Sequence, residues 1–346
     1  MLKDEIIAYS KSIGIDQIGF TTADPFSVMK TRLVEQQKRH YASGFEELDL
    51  DKRTMPQMLM PEAKSIIAIA IAYPSKMSET PRMEKNAYRG IFARASWGLD
   101  YHSVLKEKLI KLESFIHSKV PDAICKTMVD TGELVDRAVA ERAGIGWSGK
   151  NCSIISPLFG SFIYLGEMVT NIPFESDTPI ENQCGECRKC LESCPTGALI
   201  DAGQINAKTC ISYLTQSKEA IPIEYVGKIG NRLYGCDTCQ VVCPVNKGLD
   251  FHLHPELDAE GELAKPLLKS ILKLSNRTFK EKFGHVAGAW RGKTPIQRNA
   301  ILALAHFKDK SALPELEMMA EKDPREVIRE TANYAINKIK DKKLKY

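Results

Sequence analysis

The sequence predicts an α+β multidomain protein, and three observations support this prediction. Residues 1–175 alternate strand patterns with helix patterns, which is typical of an α/β domain. Residues 176–255 hold most of the cysteines, in two closely spaced runs. Residues 256–346 predict HEAT-like helical repeats, because apolar helix faces recur after proline-bearing helix starts. We therefore expect three domains with these boundaries.

Length and composition are those of an ordinary folded chain. The 346 residues suffice for two or three domains, and 43% hydrophobic with 27% charged residues is usual. No run of about eighteen apolar residues occurs, so no membrane span is expected. The N-terminus "MLKDEIIAYSKSIGID" predicts a charged amphipathic helix rather than a secretory signal, and we expect a cytoplasmic protein. Reducing conditions there disfavour disulfides, so the ten cysteines need another explanation.

Four apolar, β-branched runs predict the strands of the first domain. They are "QIGFTT" (17–22), "SIIAIAIAY" (65–73), "AICKTMVD" (123–130) and "SFIYLGEMV" (161–169). Residues 100–120 predict a helix, because leucine and isoleucine recur at three- and four-residue steps. These elements together predict a sheet covered by helices. No G-x-G-x-x-G follows a strand and no G-x-x-x-x-G-K-[ST] occurs, so folds with those nucleotide-binding motifs are unsupported.

The cysteine runs predict iron–sulfur clusters. Residues 184–195 form C-x-x-C-x-x-C-x-x-x-C-P, the bacterial ferredoxin pattern in which the fourth cysteine serves a second cluster. Residues 236–244 form C-x-x-C-x-x-x-C-P, and one more cysteine lies between the runs. Eight thiolates suit two [4Fe–4S] clusters in a ferredoxin-like domain. The ferredoxin pattern assigns Cys184, Cys187, Cys190 and Cys243 to cluster one, and Cys194, Cys210, Cys236 and Cys239 to cluster two.

Other interpretations of the cysteines stay open. Zinc also binds paired C-x-x-C motifs, although eight cysteines with two C-P endings favour clusters. Cys125 and Cys152 are left over, and buried apolar thiols are the favoured interpretation of both. Because clusters carry single electrons, the chain is either a plain electron carrier or an enzyme whose chemistry lies elsewhere.

Two stretches of the first domain stand out as candidates for that chemistry. In "VDTGELVDRAVAERAGIGWSGKNCSII" (129–155), Asp130 ends a predicted strand, where its carboxylate can face a pocket. The glycine-rich loop that follows can bring backbone close to a large ligand. "RASWGLDYH" (94–102) clusters an arginine, a tryptophan, a tyrosine and a histidine. Plainer interpretations remain for Asp130 as a helix N-cap, Lys150 as a solvated charge and His102 as a surface residue.

These motifs together resemble the epoxyqueuosine reductase family. The resemblance is sharpest in "DTGELVDRAVAERAGIGWSGKN" (130–151), "CGECRKCLESCPTGAL" (184–199) and "CDTCQVVCP" (236–244), and it covers essentially the whole chain. The family comprises cobalamin-dependent iron–sulfur enzymes of queuosine biosynthesis and is distantly similar to the reductive dehalogenases. The resemblance implies reduction of epoxyqueuosine to queuosine at the wobble position of a tRNA anticodon, by a two-electron, two-proton deoxygenation of the epoxide.

The resemblance also implies a cofactor site. Cobalamin would lie between the α/β domain and the clusters, and Asp130 matches the family's proton donor. We expect a desolvated Asp130 facing the cobalt, with its pKa raised by burial. Residues 100–105 approach D-x-H-x-x-G but end in leucine, so we expect base-off cobalamin with no histidine ligand. The residues implied to line this site are Trp97, Tyr101, His102, Asp130, Lys150, Asn151, Cys152, Ser153, Ser212, Asp237, Thr238, Gln240 and Val241.

The implied tRNA partner needs a positive surface. Residues 265–310 hold eleven lysines or arginines against two acidic residues, a charge of +9 within a chain of net charge +4. A solvated basic face is the alternative interpretation, and two roles stay open for Phe279, Phe283 and Trp290, packing in the core or stacking on a base. The cations that could track phosphates are Lys265, Lys269, Lys273, Arg277, Lys280, Lys282, Arg291, Lys293 and Arg298.

The C-terminal repeats are expected to dock on the rest of the chain, because one and a half repeat units cannot bury their own apolar faces. The tail "KIKDKKLKY" (338–346) is expected to be solvated or frayed. We expect a monomer that receives electrons from an external donor and contacts no membrane. A reductive dehalogenase acting on a small molecule is the other enzyme considered, but it predicts an export signal and no basic C-terminal platform.

Overall fold

The computed structural model describes residues 1–341, and the last part of the predicted tail, 342–346, lies outside the described residues. Its first region carries the main sheet. The helices of this region are α1 (Leu2–Ser12), α2 (Ser27–Lys38), α3 (Leu50–Thr54), α4 (Tyr101–Lys119) and α5 (Asp136–Arg142). The strands are β1 (Gln17–Thr22), β2 (Ser65–Ala72), β3 (Ile91–Phe92), β4 (Cys125–Met128), β5 (Trp147–Ser148), β6 (Ile154–Ile155) and β7 (Ile163–Thr170).

The sheet confirms the four strands that the sequence predicts. Its order is β1-β2-β7-β4, and every neighbouring pair in it is antiparallel. The alternation of strands and helices along the chain does not determine this direction, because helical connections can also join antiparallel neighbours. The predicted helix over 100–120 is confirmed as α4, which begins where the Asp100 side chain accepts a hydrogen bond from the His102 N–H.

Strand β2 shows why the sheet is covered on both faces. All eight of its residues are buried, and alternate side chains point to opposite faces. Ile67, Ile69 and Ile71 pack into a core with α1 and α4. Ile66 and Ala68 pack into a second core, with α2 and α5. A continuous apolar run is what a strand buried on both faces requires.

A second region follows and carries the predicted cluster ligands. Short elements dominate it, and irregular segments between them hold most of the cysteines. Strand β10 pairs in parallel with β3 of the first region, which ties the two regions together. The elements are α6 (Lys189–Glu192), β8 (Leu199–Asp201), β9 (Gln204–Ile205), α7 (Ile211–Gln216), α8 (Ile223–Ile229), β10 (Arg232–Tyr234) and α9 (Thr238–Val241).

The third region is helical and shares its core with the other two. Leu304 and Ile328 lie in this core, together with Phe92 and Trp97 from the first region and Leu233 from the second. The expected docking of the C-terminal helices is therefore confirmed, although Phe92 and Trp97 cross the predicted boundary. No helix within residues 1–341 is both long and apolar enough to cross a membrane. The helices are α10 (Gly261–Ala264), α11 (Leu268–Leu272), α12 (Asn276–Phe283), α13 (Lys293–His306), α14 (Leu313–Lys322) and α15 (Glu326–Ile339).

Candidate functional site

The thiols assigned to cluster one lie close together. The charges of Cys184 and Cys243 act on Cys190, and those of Cys184 and Cys187 act on Cys243. Cys243 is distant in sequence from the other three, so only the fold brings it to them. Burial is the first cause that raises the pKa of both Cys190 and Cys243. The fourfold group predicted from the ferredoxin spacing therefore exists in space.

The thiols assigned to cluster two also gather, and they adjoin the first group. Cys239 lies near Cys210, Cys236 and Cys194, and also near Cys190 of cluster one. Burial raises the pKa of Cys210 to about 11. Burial acts in the same direction at Cys194, but backbone groups nearby outweigh it and lower the pKa of that thiol. Two adjoining groups of four thiols suit the transfer of single electrons between clusters.

The spacing of the thiols bears on the zinc alternative. Within residues 1–341, no three of the eight Sγ atoms lie within 4.8 Å of one another. Tetrahedral zinc with Zn–S bonds of about 2.3 Å would hold its sulfur ligands about 3.8 Å apart. Within residues 1–341 the eight thiols therefore form no compact group of the kind that zinc requires.

Asp130 lies on a sharp turn just beyond β4. Its backbone φ is +51°, a left-handed conformation that is uncommon for any residue with a side chain. The Thr131 N–H donates to the carbonyl of Val129, which closes a turn of three residues around Asp130. The Tyr101 hydroxyl donates to Asp130 Oδ2 over 2.9 Å. The side chain caps no helix, since α5 begins only at Asp136 and its N-cap is Val135.

His102 lies between two carboxylates. Its Nδ1 is 2.7 Å from Asp100 Oδ1, and its Nε2 is 3.4 Å from Asp130 Oδ2, the distance of an ion pair rather than of a short hydrogen bond. The carboxylate of Asp100 first, and that of Asp130 second, raise the pKa of His102 to about 9. The ring therefore carries a proton at neutral pH. His102 is half-buried and bonded, so it is not a plain surface residue.

The expected desolvation of Asp130 is wrong. The Asp130 side chain is 59% exposed, and its pKa is lowered, first by the His102 imidazole and then by the Tyr101 hydroxyl. Burial acts in the opposite direction but is outweighed. The sequence placed the carboxylate correctly at the end of a strand, but it gave no sign that an imidazolium would stabilise the charged form.

Stacked tyrosines join this turn to the cluster region. The Tyr101 ring stacks on that of Tyr164, with ring centroids 4.4 Å apart and planes at 4°. Tyr164 in turn contacts Tyr73, also at 4.4 Å. The Gln240 side chain, next to cluster ligand Cys239, donates to the Tyr73 hydroxyl over 3.1 Å. Tyr73 and Tyr164 were missed by the sequence analysis, because within strands they look like ordinary core residues.

The loop predicted to line the cofactor is compact and carries two buried donors without a partner among the described residues, Trp147 Nε1 and Asn151 Nδ2. Asn151 is 5% exposed, and its Nδ2 has no hydrogen-bond partner among the described residues. Cys152 adopts a φ of +64°, and its carbonyl accepts from the Arg137 guanidinium. Lys150 Nζ donates to the Gly185 carbonyl over 2.5 Å, which ties the loop to the cluster-one segment, and the Ser153 N–H donates to Asn151 Oδ1. Buried donors without partners are uncommon and suit a ligand site.

The remaining residues predicted to contact the cofactor differ in their availability. Asp237 accepts from both the backbone N–H and the guanidinium of Arg94, and the hydroxyl of Thr238 lies 3.3 Å from Cys236 Sγ. Val241 is 54% exposed, which is unusual for an apolar side chain and leaves it open to a ligand. The Ser212 hydroxyl accepts from Gln216 within its own helix.

Trp97 requires a correction. Its side chain is buried in the core of the third region, and its Nε1 donates to the Phe92 carbonyl over 3.0 Å. The indole is therefore occupied by packing and is not presented to a ligand. Its neighbours in the sequence motif, Tyr101 and His102, are the residues that reach Asp130.

The basic segment divides into exposed and occupied cations. Lys273, Arg277, Lys280 and Lys282 are exposed. Lys269 donates to Ser311, Lys293 donates to the Leu274 carbonyl, and partial burial lowers the pKa of Lys265. Lys273 and Arg277 also pair with Glu315 and Glu281, over 3.5 and 3.8 Å. Because all four remain exposed, they fit the role of phosphate contacts best among the nine predicted residues.

Arg298 is the clear exception among the predicted phosphate contacts. Its side chain is 1% exposed, and its guanidinium donates to the carbonyls of Leu214, Ser217 and Glu219. Because these carbonyls follow Cys210 in the chain, Arg298 fastens a cluster-bearing segment to α13. The prediction that it contacts tRNA is wrong, since α13 is buried on all sides over residues 295–305.

An exposed aromatic cluster lies beside the basic segment. The Phe45 ring meets those of Trp290 and Tyr213 at centroid distances of 5.3 and 5.2 Å, and the Arg291 guanidinium lies 4.9 Å from the centroids of both Phe45 and Trp290. Phe45 and Trp290 are 41% and 53% exposed. A cavity of about 380 Å³ adjoins the cluster, and its lining includes Asp100, Phe279, Lys280 and Trp290. Phe283, by contrast, is fully buried, so it serves the core.

Two family models match the chain. One, described as "Epoxyqueuosine reductase QueG, DUF1730", matches residues 53–131. The other, described as "4Fe-4S double cluster binding domain", matches residues 183–246 and so spans the eight predicted ligands.

Individual proteins match over nearly the whole length. An epoxyqueuosine reductase of Bacillus subtilis (strain 168) is 65% identical over 98% of this chain and 88% of its own length. The crystal structure of an epoxyqueuosine reductase with an epoxyqueuosine-modified tRNA-Tyr stem loop has a TM-score of 0.97 and 65% identity, covering 98% of this chain and 90% of that chain. A Bacillus subtilis structure whose aspartate catalytic loop is swung out of the active site has a TM-score of 0.96 and 64% identity, with the same coverage.

Proposed function

The chain belongs to the epoxyqueuosine reductase family, and from that premise we propose how its own residues carry out the reaction. It is an oxidoreductase that reduces epoxyqueuosine to queuosine in tRNA. The observation that supports the proposal best is the identity of 65% over 98% of the chain, a span that includes the Asp130 turn and both cysteine runs. A small-molecule dehalogenase has no comparable support.

The reaction balances with two electrons and two protons. Both carbon–oxygen bonds of the epoxide break, a carbon–carbon double bond forms, and the oxygen leaves as water. The two groups of thiolates would hold the [4Fe–4S] clusters that deliver the electrons singly from an external donor. The chain itself must then bind the tRNA, hold the reacting nucleoside in place and supply protons to the departing oxygen.

We propose that cobalamin binds between the Asp130 turn and the cluster region. When bound, it would supply a reduced cobalt centre able to give electrons to an electrophilic carbon. The buried, unpartnered Asn151 Nδ2 and the exposed Val241 suit such a ligand. Both ring nitrogens of His102 face carboxylates, which supports cobalamin binding without a ligand from this histidine. The base-off form is part of the same proposal.

Asp130 and His102 together form the proposed acid. The imidazolium of His102 holds a proton at neutral pH, 3.4 Å from Asp130 Oδ2, and Tyr101 fixes the position of the same oxygen. A ligand that covers the exposed Asp130 carboxylate removes water from it and so favours its neutral form. The proton can then pass from His102 to Asp130 and on to the epoxide oxygen. We propose that the Asp130 turn corresponds to the catalytic loop of the Bacillus subtilis structure.

The tRNA stem loop is proposed to lie along the basic segment. Lys273, Arg277, Lys280 and Lys282 offer exposed positive charge to phosphates. The cavity is lined by both Lys280 and Asp100, whose carboxylate lies 2.7 Å from His102 Nδ1, and the exposed Trp290 ring in its lining can stack on a base.

The division of the chain supports this arrangement. We propose domains at 1–175, 176–255 and 256–346, with residues 91–97 packed into the last of them and α13 to α15 as its HEAT-like part. We also propose that the protein acts as a monomer in the cytoplasm, because reducing conditions there suit thiolate-bound clusters.

The decisive experiment combines anaerobic reconstitution with turnover on an epoxyqueuosine-modified anticodon stem loop. Asp130→Asn should keep its iron and cobalamin but lose about 10²- to 10⁴-fold in kcat, since the variant cannot give a proton to the leaving oxygen. Glu321→Gln, at an exposed residue of α14 outside the predicted site residues, is the control. Unchanged kcat in Asp130→Asn would remove that carboxylate from the chemistry, and iron without bound corrinoid would leave only an electron carrier.

A further inference from the structure

The Asp130 turn is strained, and something must hold it. A left-handed φ at a residue with a side chain is unfavourable and persists only where the surroundings enforce it. The Thr131–Val129 hydrogen bond closes the turn but does not anchor it to the sheet. The anchor is a side chain from the next helix, because the Asp130 N–H donates to Asp136 Oδ2 over 3.0 Å.

Asp136 is itself held by a deeply buried acid. Glu167 lies on β7, opposite Ala68 of β2 and Met128 of β4, and is 1% exposed. The side chains of Glu167 and Asp136 are hydrogen-bonded to each other, while Glu167 Oε1 has no partner within residues 1–341. Two carboxyl groups can hydrogen-bond only if one of them carries a proton. Burial first, and the mutual repulsion of their charges second, raise the pKa of Glu167, so the pair retains a proton.

We propose that Asp136 and Glu167 share one proton and form a latch that holds the Asp130 turn in its reactive position. Both are positioning residues, and their role rests on the proposed function of Asp130. The proton lies on Glu167, which donates to Asp136. Asp136 is then free to accept from the Asp130 N–H with its other oxygen.

The surroundings explain how the latch can open. The other charged groups that act on the pair are Asp130 on the turn and Arg53 on α3, whereas the strand neighbours Ala68 and Met128 are apolar. Loss of the shared proton leaves two anions at hydrogen-bond distance. Glu167 is fixed inside the sheet, so the less buried Asp136 must move away, and the Asp130 N–H loses its acceptor.

The sign of the pH effect follows from the raised pKa of Glu167. A group whose pKa is higher in the folded protein stabilises the fold at low pH, and this contribution is lost as the pH rises through the folded value. The latch is therefore closed at neutral pH and opens under alkaline conditions. In Glu167→Gln the amide always donates to Asp136, so this variant should stay closed at all pH values.

The test compares Glu167→Met with Glu167→Gln in the reconstituted full-length protein. Met removes the donor to Asp136, so kcat should fall at least tenfold while KM for the modified stem loop and the iron content stay unchanged. Gln should restore most of the lost kcat. Glu133→Gln, a carboxyl of the same segment that pairs with Lys126, should behave as the unmodified protein.

Hydrogen exchange of a peptide spanning the turn gives a readout that does not depend on turnover. After correction for intrinsic rates, exchange should be faster in Glu167→Met, and the alkaline acceleration in the unmodified protein should be absent from Glu167→Gln. Equal exchange and equal kcat in the Met and Gln variants would overturn the latch. A change in exchange at the turn without loss of kcat would instead overturn the proposed role of Asp130. Should Glu167→Met fail to bind iron, Asp136→Leu tests the same contact from the other partner.

Discussion

The cluster-binding segment and the Asp130 turn both gather ionisable side chains, but they do so by different means. Seven of the eight cluster thiols come from residues 184–194 and 236–243, so short spacers determine most of the geometry. The acid at Asp130 depends on partners from α4, α5 and β7, which only the fold brings together. A metal site can therefore be encoded locally, whereas the protonation of an acid is decided by tertiary neighbours.

The two regions also differ in how they balance charge. Burial raises the pKa of most of the cluster thiols for which a shift is resolved, so iron must supply the positive charge that favours the thiolates. At the turn, the protein supplies its own counter-charge through His102. The cluster thiols thus need iron to balance the charge of their thiolates. At the turn, His102 already balances the charge of Asp130, so a bound ligand is needed to change the protonation of Asp130.

The largest expected effect tests the local encoding of the clusters. Cys190→Ser should lower iron from about eight to about four atoms per chain and abolish turnover. The serine hydroxyl is a weak iron ligand, so cluster one, which needs four thiolates, should be lost. Iron analysis and paramagnetic resonance of the reduced protein measure this. Cys125→Ser, at a thiol that contacts Thr170 and lies outside both groups, is the matched control and should keep its iron. An unchanged iron content in Cys190→Ser would contradict the assignment of that ligand.

The next effect tests whether the cluster segment also depends on distant support. Arg298→Met should lower the free energy of unfolding by about 3 kcal/mol, since three buried carbonyls after Cys210 lose a charged donor. Denaturant unfolding under argon measures the loss. The affinity of the folded fraction for tRNA should be unchanged, and a selective loss of affinity would restore Arg298 to the tRNA-binding set.

The same contrast explains what the sequence could predict. The strands and the cysteine groups follow from residue type and spacing, and the structure has both where they were expected. The position of Asp130 at a strand end was also predictable. Its lowered pKa was not, because His102 reaches it only after α4 packs on the sheet.

The residues that were missed or misassigned share one property. Glu167 is the one charged residue of an apolar strand run, and Arg298 is one of many cations in a basic segment, so the sequence indicates the burial of neither side chain. Only burial distinguishes them, and burial depends on which face each side chain takes in the packed molecule. Trp97 was misassigned for the same reason, since the chain turns it into the C-terminal core.

A smaller effect tests the charge balance at the turn. If the His102 imidazolium supplies the proton, kcat should be constant below about pH 9 and fall as the pH rises through that value. His102→Gln should lower kcat about tenfold to a hundredfold and, in the Glu167→Gln background whose latch stays closed, should remove this alkaline fall in kcat. In Asp100→Asn the side-chain oxygen still caps α4, but the carboxylate that contributes most to the raised pKa of His102 is lost. The fall in kcat should therefore move to lower pH in this variant. A fall near pH 9 that persists in His102→Gln in that background would exclude His102 as its source.

The smallest effect concerns the surface that joins the two regions to tRNA. Lys280 is exposed at the cavity whose other wall includes Asp100, so it can hold a phosphate while a base enters beside the turn. Lys280→Ala should weaken binding of the stem loop a few-fold at low salt and reduce the slope of log K against log salt by about one. Lys322→Ala, at an exposed site on α14 outside the basic segment, should change neither quantity. A loss of affinity in Lys280→Ala that is the same at all salt concentrations would show that Lys280 shapes the cavity instead of neutralising a phosphate. The cavity would then bind the stem loop through its shape and not through the charge of Lys280.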